Sequence, residues 1–330
     1  MLVTCNFHLT LRRLVGALKG IDAWIIVADS KGINVWCAAG ARELDTDSVV
    51  SAVKTCGVAD KVDHRTLILP PLAGPGVRAV DVAERTGWKV RWGPVRATDI
   101  RKYLDAGMKR DEAMKRATST WLERVDAGVG SMFSFYALVA IPVAIFAPGL
   151  IVHYLVVTLA TLIAFLLLSP WIPGRSGIAK ALLLQLPLGA LLVLVGRWAP
   201  ETDLPLRADL IIVMGTLLGS AVDLGGMSAV LPSSFDPFMA RLGVRKFAGI
   251  AFAGTTRTDL LLGARRLVCD AETCISCRRC VEICPLGVWT MGSSKTAEPE
   301  HVDRCTACQA CLVQCPSGAI SAEPTSAAGS

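Results

Sequence analysis

The stretch CISCRRCVEICP, residues 274–285, returns as CTACQACLVQCP at residues 305–316. Each run is spaced Cys-x2-Cys-x2-Cys-x3-Cys-Pro, and together they take eight of the chain's 12 cysteines. Two-residue spacers wrap the backbone so tightly that three thiolates converge on one metal–sulfur cube, with amide N–H groups turned toward its sulfides. Structural zinc would need only a single tetrahedral set per ion. Two complete tandem runs, each closed by proline, favour clusters instead.

The spacing is that of bacterial two-cluster ferredoxins, where the fourth cysteine of each run ligates the other cluster. One [4Fe–4S] cluster is expected on Cys274, Cys277, Cys280 and Cys315, and the other on Cys305, Cys308, Cys311 and Cys284. An α+β ferredoxin-like domain is therefore placed at residues 267–322, with a disordered tail at 323–330. Clusters of this class pass single electrons at potentials spanning roughly −700 to +450 mV. They imply an upstream electron donor and an acceptor close at hand. The opening MLVTCNFHLT lacks the charged start and apolar core of a secretory signal. Metal in a reducing compartment, rather than disulfides, fits this cysteine pattern. Cys5 and Cys56 read as small buried hydrophobes, and Cys269 as a buried residue or a relay thiol just ahead of the first run.

Working upstream, residues 233–266 form a linker expected on the cytoplasmic side, and residues 131–232 are strongly apolar. The chain of 330 residues is 52% hydrophobic with a mean hydropathy of +0.49, too apolar for an ordinary soluble enzyme. Four runs approach the roughly 20 residues that cross about 30 Å of hydrocarbon: Met132–Ala147, Leu150–Leu168, Ala179–Ala199 and Ala208–Leu231. An α-helical transmembrane bundle of about four helices in a cell (inner) membrane, in contact with membrane lipid, is the expectation. Lys and Arg before the first run, at Arg175 and Lys180, and at Arg241, Arg245 and Lys246 place both ends in the cytoplasm. Asp223 is either an intramembrane functional carboxylate or the interfacial end of a helix. The net charge of +6 comes without a nucleic-acid motif, and no nucleic-acid partner is expected. Residues 111–130 read as a charged helical connector.

Residues 1–110 alternate β-like runs, Ala23–Asp29, Thr66–Pro70 and Lys89–Trp92, with helical patterns at Leu11–Leu18, Asp47–Thr55, Val77–Thr86 and Ala97–Asp105. Such alternation implies right-handed crossovers and an α/β, Rossmann-like parallel sheet. Ligands of parallel sheets bind beyond the carboxyl ends of the strands, here the loops Ser30–Gly40, Pro71–Gly76 and Gly93–Arg96. Cys37 lies in the first of these, among small residues that permit close approach of a large flat group.

The stretch KGINVWCAAG, with LILPPLAGPGVRAVDVAERTGWKVRWGPVRATDIRKYLDAGM, resembles the corrinoid protein of microbial mercury methylation. It resembles more distantly the large subunit of the corrinoid iron–sulfur protein of acetyl-CoA synthesis. The ferredoxin part is similar to the separate partner of the mercury-methylation family. The resemblance implies a corrinoid-dependent methyltransferase in which the Cys37 thiolate is the lower axial cobalt ligand on a short cap helix. It implies corrin contacts from Asn34, Val35, Trp36, Ala38, Ala39 and Gly40, from Thr66 and Leu67, from Pro71, Gly74 and Gly76, and from Gly93, Pro94, Val95 and Arg96. Methyl-Co(III) would give its methyl group to Hg(II) or a related soft metal, and the fused ferredoxin would return cobalt to Co(I). A methyltetrahydrofolate-linked methyl donor protein is implied upstream. The family carries Lys where this chain has Ala41, and its ferredoxin carries further thiols where this tail reads SAEPTSAAGS. Two other readings stand beside this one: a membrane-anchored corrinoid iron–sulfur methyl carrier of one-carbon metabolism, and a membrane-bound 2[4Fe–4S] electron-transfer protein without methyl-transfer activity.

Overall fold

The computed structural model describes residues 1–118, 120–131, 136–173, 177–198, 204–223, 246–247, 250–251 and 265–324. The chain divides into two compact units, Met1–Ala117 with Phe235–Ser330, and Thr118–Ser234.

In the first unit, β1 (Leu2–Cys5), β2 (Ile25–Ala28), β3 (Thr66–Leu69) and β4 (Lys89–Trp92) build a parallel sheet in the order β2-β1-β3-β4. Helix α1 (His8–Ala17) returns the chain from β1 to β2. Helices α2 (Val35–Gly40) and α3 (Thr46–Thr55) carry it from β2 to β3, and α4 (Ala79–Thr86) from β3 to β4. Both faces of the sheet are covered. Val3, Cys5, Leu67 and Leu69 pack with Val49, Val53 and Val82 on one side. Leu2 and Ile68 pack with Leu14, Leu18, Ile100 and Tyr103 on the other. Alternate residues of a strand face opposite sides, so the two central strands, β1 and β3, are buried nearly throughout, whereas the edge strand β4 leaves Lys89 and Arg91 exposed. The strand order reverses between β1 and β3, which opens a crevice at their carboxyl ends.

After β4 come α5 (Ile100–Asp105) and the single turn α6 (Glu112–Lys115). The expected helical connector is interrupted here. Asp111 caps α6 by accepting from the Met114 N–H at 2.8 Å, Arg116 is extended, and the Ala117 N–H donates to the Pro285 carbonyl at 2.8 Å. That long-range bond takes the N–H that a continuing helix would use.

The dicluster half of this unit pairs β7 (Arg265–Cys269) with β10 (Ile320–Pro324), and β8 (Thr290–Met291) with β9 (Ala297–Glu298), both antiparallel. Between them, α12 (Arg279–Ile283) packs on α13 (Ala310–Gln314). Leu267, Val288, Trp289, Ala297 and Ile320 form its core. Of the linker, the two-residue strands β5 (Lys246–Phe247) and β6 (Ile250–Ala251) pair antiparallel. The rest of the linker between 233 and 264, and the tail from 325, lie outside the described residues.

The second unit is helical: α7 (Trp121–Ser131), α8 (Ala137–Phe146), α9 (Ile151–Leu168), α10 (Gly177–Trp198) and α11 (Leu204–Asp223). Of the four expected spans, one segment among the described residues, Pro148–Leu168, is long and apolar enough to cross a membrane. A four-helix transmembrane bundle is therefore not supported. The first run yields a described helix of only 10 residues, Ala137–Phe146, and the described apolar part of the third is Lys180–Leu191. Asp223 ends α11; Gly225 and Gly226 lie outside the described residues. Within the unit, His153 on α9 pairs with Asp209 on α11, and the Gln185 amide donates to the Met214 carbonyl at 2.6 Å.

Candidate functional site

Three loops leave the carboxyl ends of β2, β3 and β4 on one edge of the sheet. The first carries Cys37. Asn34 ends the extended entry to α2, and its Oδ1 accepts from the Cys37 N–H at 3.0 Å. A side-chain acceptor is what a helix start needs, because its first N–H groups lack intrahelical partners. Val35, Ala38 and Ala39 are the buried face of α2, while Trp36, Cys37 and Gly40 are half-buried. Cys37 is in no disulfide.

The turn before α2 is organised by Asn6, at the end of β1, which the sequence reading did not single out. Its Oδ1 accepts from the Ser30 N–H at 3.1 Å, the Gly32 N–H at 2.9 Å and the Ser30 hydroxyl at 2.7 Å. Its Nδ2 donates to Asp29 at 2.9 Å. Lys31 and Gly32 both take positive φ in this turn. A polar residue directly after a buried strand was the available signal.

The second loop packs against α2. A Cβ on Gly76 would lie 2.1 Å from the Leu44 carbonyl oxygen and 3.0 Å from that of Ala39. Pro71 and Gly74 are buried in the same loop. In the third loop Gly93 donates to the Leu69 carbonyl at 2.8 Å, and a Cβ there would meet Ile68 Cγ2 at 2.7 Å. Pro94 is buried, Val95 donates to the Met114 carbonyl at 2.9 Å, and Arg96 opens a single 3-10 turn. Thr66 and Leu67 fall elsewhere. They begin β3, at the end of the sheet opposite these loops, and Leu67 is fully buried in the core. The structure does not bring them to the Cys37 edge.

The eight repeat cysteines separate into two cavities. Cys284, Cys305, Cys308 and Cys311 line one. Cys274, Cys277, Cys280 and Cys315, joined by Cys269, line the other. Each set takes three cysteines from one run and the last from the other. Among the described residues, no three His, Cys, Asp or Glu side chains close on a point as a single ion requires. Four thiols line each volume, a donor set that a [4Fe–4S] cluster could use.

Backbone geometry repeats with them. Ser276 and Arg278 flank Cys277, Ala307 and Gln309 flank Cys308, and all four have positive φ. Interrupting right-handed backbone in this way turns successive N–H groups toward one concavity. The Ala307 N–H donates to Cys305 Sγ and the Val288 N–H to Cys284 Sγ, both at 3.3 Å. Burial pushes the Cys280 thiol up to about 12 and the Cys311 thiol well above its ordinary range. Burial also lifts Cys269 to about 11, with Cys274 contributing. The Ser276 and Ala297 N–H groups hold Cys274 below its usual value. Desolvated thiols of this kind ionise only when a cationic core takes up their charge. An iron–sulfur cluster fits this donor set.

The two halves of the unit meet at the second loop with the start of α4, and at Arg110. Gln314, on α13, donates through Nε2 to the carbonyls of Gly74 at 2.9 Å and Val77 at 2.7 Å. Its Oε1 accepts from the Ala79 N–H at 3.2 Å. Arg110 donates through Nη2 to the Glu282 carbonyl at 2.9 Å and carboxylate at 2.8 Å.

Comparison with known proteins bears on both halves. Residues 1–104 match the family described as CO dehydrogenase/acetyl-CoA synthase delta subunit. Residues 273–320 match the 4Fe-4S dicluster domain. Among curated relatives, acetyl-CoA decarbonylase/synthase complex subunit gamma of Methanopyrus kandleri is 32% identical over 107 residues, covering 32% of this chain and 23% of that protein. The same subunit of Methanothermobacter thermautotrophicus gives the same figures. That of Archaeoglobus fulgidus is 30% identical over 105 residues, covering 31% of this chain and 22% of the relative. The chain thus spans less than a quarter of the length of these relatives. None of them is a mercury-methylating protein by name, so the resemblance is supported on its acetyl-CoA side. Residues 1–104 are therefore a domain related to the gamma subunit of acetyl-CoA decarbonylase/synthase, joined on one chain to a 4Fe–4S dicluster domain.

Proposed function

We propose that the chain is a membrane-anchored corrinoid iron–sulfur methyl carrier of one-carbon metabolism. The observation that carries this reading is the juxtaposition of the Cys37 helix, on a sheet domain related to the gamma subunit, with a dicluster domain in the same compact unit. When bound, the corrinoid supplies a cobalt centre that takes and releases a methyl group, and two [4Fe–4S] clusters supply single electrons.

The chain's own residues do the rest. Cys37 offers a soft thiolate to cobalt, and Asn34 fixes the helix that carries it. Asn6 holds the turn ahead of that helix. Gly76 lets the β3 loop close on that helix, and Gly93 lets the β4 loop close on Ile68 of β3, each without a side chain. Cys274, Cys277, Cys280 and Cys315 would hold one cluster, and Cys284, Cys305, Cys308 and Cys311 the other. A methyltetrahydrofolate-linked protein is the proposed methyl source and a one-electron protein the upstream reductant.

Membrane anchoring is supported by the second unit's surface. Phe146 is 85% exposed, Leu186 76% and Val152 70%, a distribution that water penalises and lipid does not. Met1–Ala117 and Phe235–Ser330 share one compact unit, so both flanks lie on the same side and the anchor crosses an even number of times or lies in one interface. We place that side in the cytoplasm, following the positive residues around the apolar runs. The protein should stay with vesicles through carbonate washing; extraction by carbonate would assign those faces to protein contacts.

The deciding experiment is anaerobic purification with cobalt and iron quantified and the visible spectrum recorded, for wild type and Cys37→Ala. Near-stoichiometric cobalt, with a band that shifts on substitution of Cys37, is expected alongside roughly eight irons. Iron at that level without cobalt would reduce the protein to an anchored electron carrier. Hg(II) as methyl acceptor draws no support from the relatives. Methylmercury formation by anaerobic cells, dependent on Cys37, would reinstate it.

A further inference from the structure

The two cysteine runs superpose residue for residue in sequence, so Glu282 corresponds to Val313 and Ile283 to Gln314. Both members of the second pair reach the same residue of the sheet domain. Ile283, fully buried, lies where a Cβ on Gly74 would be 2.8 Å from its Cδ1. Gln314, also buried, bonds the Gly74 carbonyl. Of the other pair, Glu282 bonds Arg110 and sits 3.3 Å from the Lys115 ammonium. A symmetric dicluster domain could dock two ways round; these replacements let it dock one way. Gln314 also lies between Cys311 and Cys315, which line different cavities. The loop it pins, Gly74–Ala79, includes Gly76, packed on the backbone of Ala39 two residues from Cys37.

We infer that Gln314, with the Glu282–Arg110 pair, is a positioning device: it fixes the dicluster domain on the Gly74–Ala79 loop so that electrons pass from α13 through this loop to the Cys37 helix. This rests on the proposed corrinoid at Cys37. The step is balanced by one electron: a reduced cluster is oxidised by one unit, the acceptor at Cys37 is reduced by one, and no atom or proton moves. An upstream one-electron donor recharges the cluster. A buried carboxamide with three backbone partners suits the role, because any other orientation leaves it or those partners unpaired.

The test uses the full-length, anaerobic, corrinoid-loaded protein and Gln314→Ala. Hydrogen exchange at the Ala79 amide, which donates to Gln314, should accelerate at least tenfold. Iron content, cluster potentials and cluster EPR should match wild type. After sub-stoichiometric photoreduction, electron arrival at the corrinoid band should slow at least tenfold. An unchanged transfer rate with the Ala79 amide deprotected would remove the dock from the electron path, and unchanged Ala79 protection would remove Gln314 from the dock. Should Gln314→Ala not fold, Glu282→Gln reads the same two quantities from the dock's other contact, the pair with Arg110, and no change in either overturns the inference. If no corrinoid binds at all, the methyl-carrier reading fails, while Ala79 exchange still decides whether the dock exists.

Discussion

Gly76→Ala tests the placement of Cys37 most directly, because Gly76 is where the β3 loop and the Cys37 helix share backbone contact. The new methyl would sit 2.1 Å from the Leu44 oxygen, 3.0 Å from the Ala39 oxygen and 3.1 Å from the Ala39 Cα. All three are backbone atoms, so no rotamer change relieves the clash, and either the loop or α2 must move. Overpacking of a close-packed site costs about 1–3 kcal/mol, and the absence of a yielding side chain puts this case near the top. Three kcal/mol is about a 150-fold change in a local opening equilibrium, at 1.4 kcal/mol per tenfold. Native-state hydrogen exchange reads it at two amides: Val77, bonded to the Ala73 carbonyl at 2.9 Å, and Ala41, bonded to the Cys37 carbonyl at 2.9 Å. Both should exchange on the order of 100-fold faster. Gly16→Ala in α1 is the control, because its Cβ meets nothing within 4 Å and alanine favours a helix by about 1 kcal/mol. If Gly76→Ala left both amides within threefold of wild type, the packing of the Pro71–Gly76 loop on the Cys37 helix would be refuted.

Asn6→Ala should loosen the Asp29–Ile33 turn by about 1–3 kcal/mol, the cost of leaving buried donors unsatisfied, since Ser30 is fully buried; exchange at the Ser30 and Gly32 amides would rise, and equal protection in the variant would show that another acceptor serves them. Cys315→Ser should lose the cluster of the cavity shared with Cys274, whereas Cys284→Ser should lose the one shared with Cys305; each leaves about four irons, and EPR that assigned either loss to the cysteine's own run would overturn the exchanged pairing. Chelating the iron should strip exchange protection from residues 265–324 and leave the sheet core around Val3, Val49 and Leu69 protected, because a cluster site folds with its metal; joint loss of both would show that the sheet depends on the dicluster domain.

The parts of this architecture legible in sequence are those where chemistry imposes a spacing. Thiolates must converge, so the cysteine repeat stands out, and the fourth cysteine of each run lines the cavity of the other run. Strands β2 to β4 and helices α3 and α4 follow from the residue pattern and its punctuation, whereas the short α2 is expected only from the resemblance. Strand β1, four residues buried throughout at the start of the chain, offers no alternation and no flanking pattern to detect. Asn6 and Gln314 are less visible still. Their partners lie 24 and up to 240 residues away, and a single amide side chain has no periodicity. In the second unit, apolar composition marks the segments while leaving helix length undecided, and Ala137–Phe146 ends at Ala147, before Pro148-Gly149.

Thr66 and Leu67 show why a resemblance needs the topology to be read correctly. Leu67 opens the stretch that carries the likeness and Thr66 directly precedes it, yet a matched residue is a candidate contact only if the fold delivers it to the site. In a parallel sheet every strand points the same way, so ligand groups come from carboxyl ends and the residues that begin a strand lie at the far edge. Leu67 begins β3 and is fully buried among Val3, Val49 and Val82. Its substitution should therefore act through the core: Leu67→Ala would cost about 2–5 kcal/mol and lower the melting temperature of the sheet domain. The visible spectrum of bound corrinoid should keep its wild-type position, where Cys37→Ala shifts it. A Leu67→Ala protein that melts as wild type but shows an altered corrinoid band would place Leu67 against the cofactor and overturn this division of the sheet into a binding edge and a core.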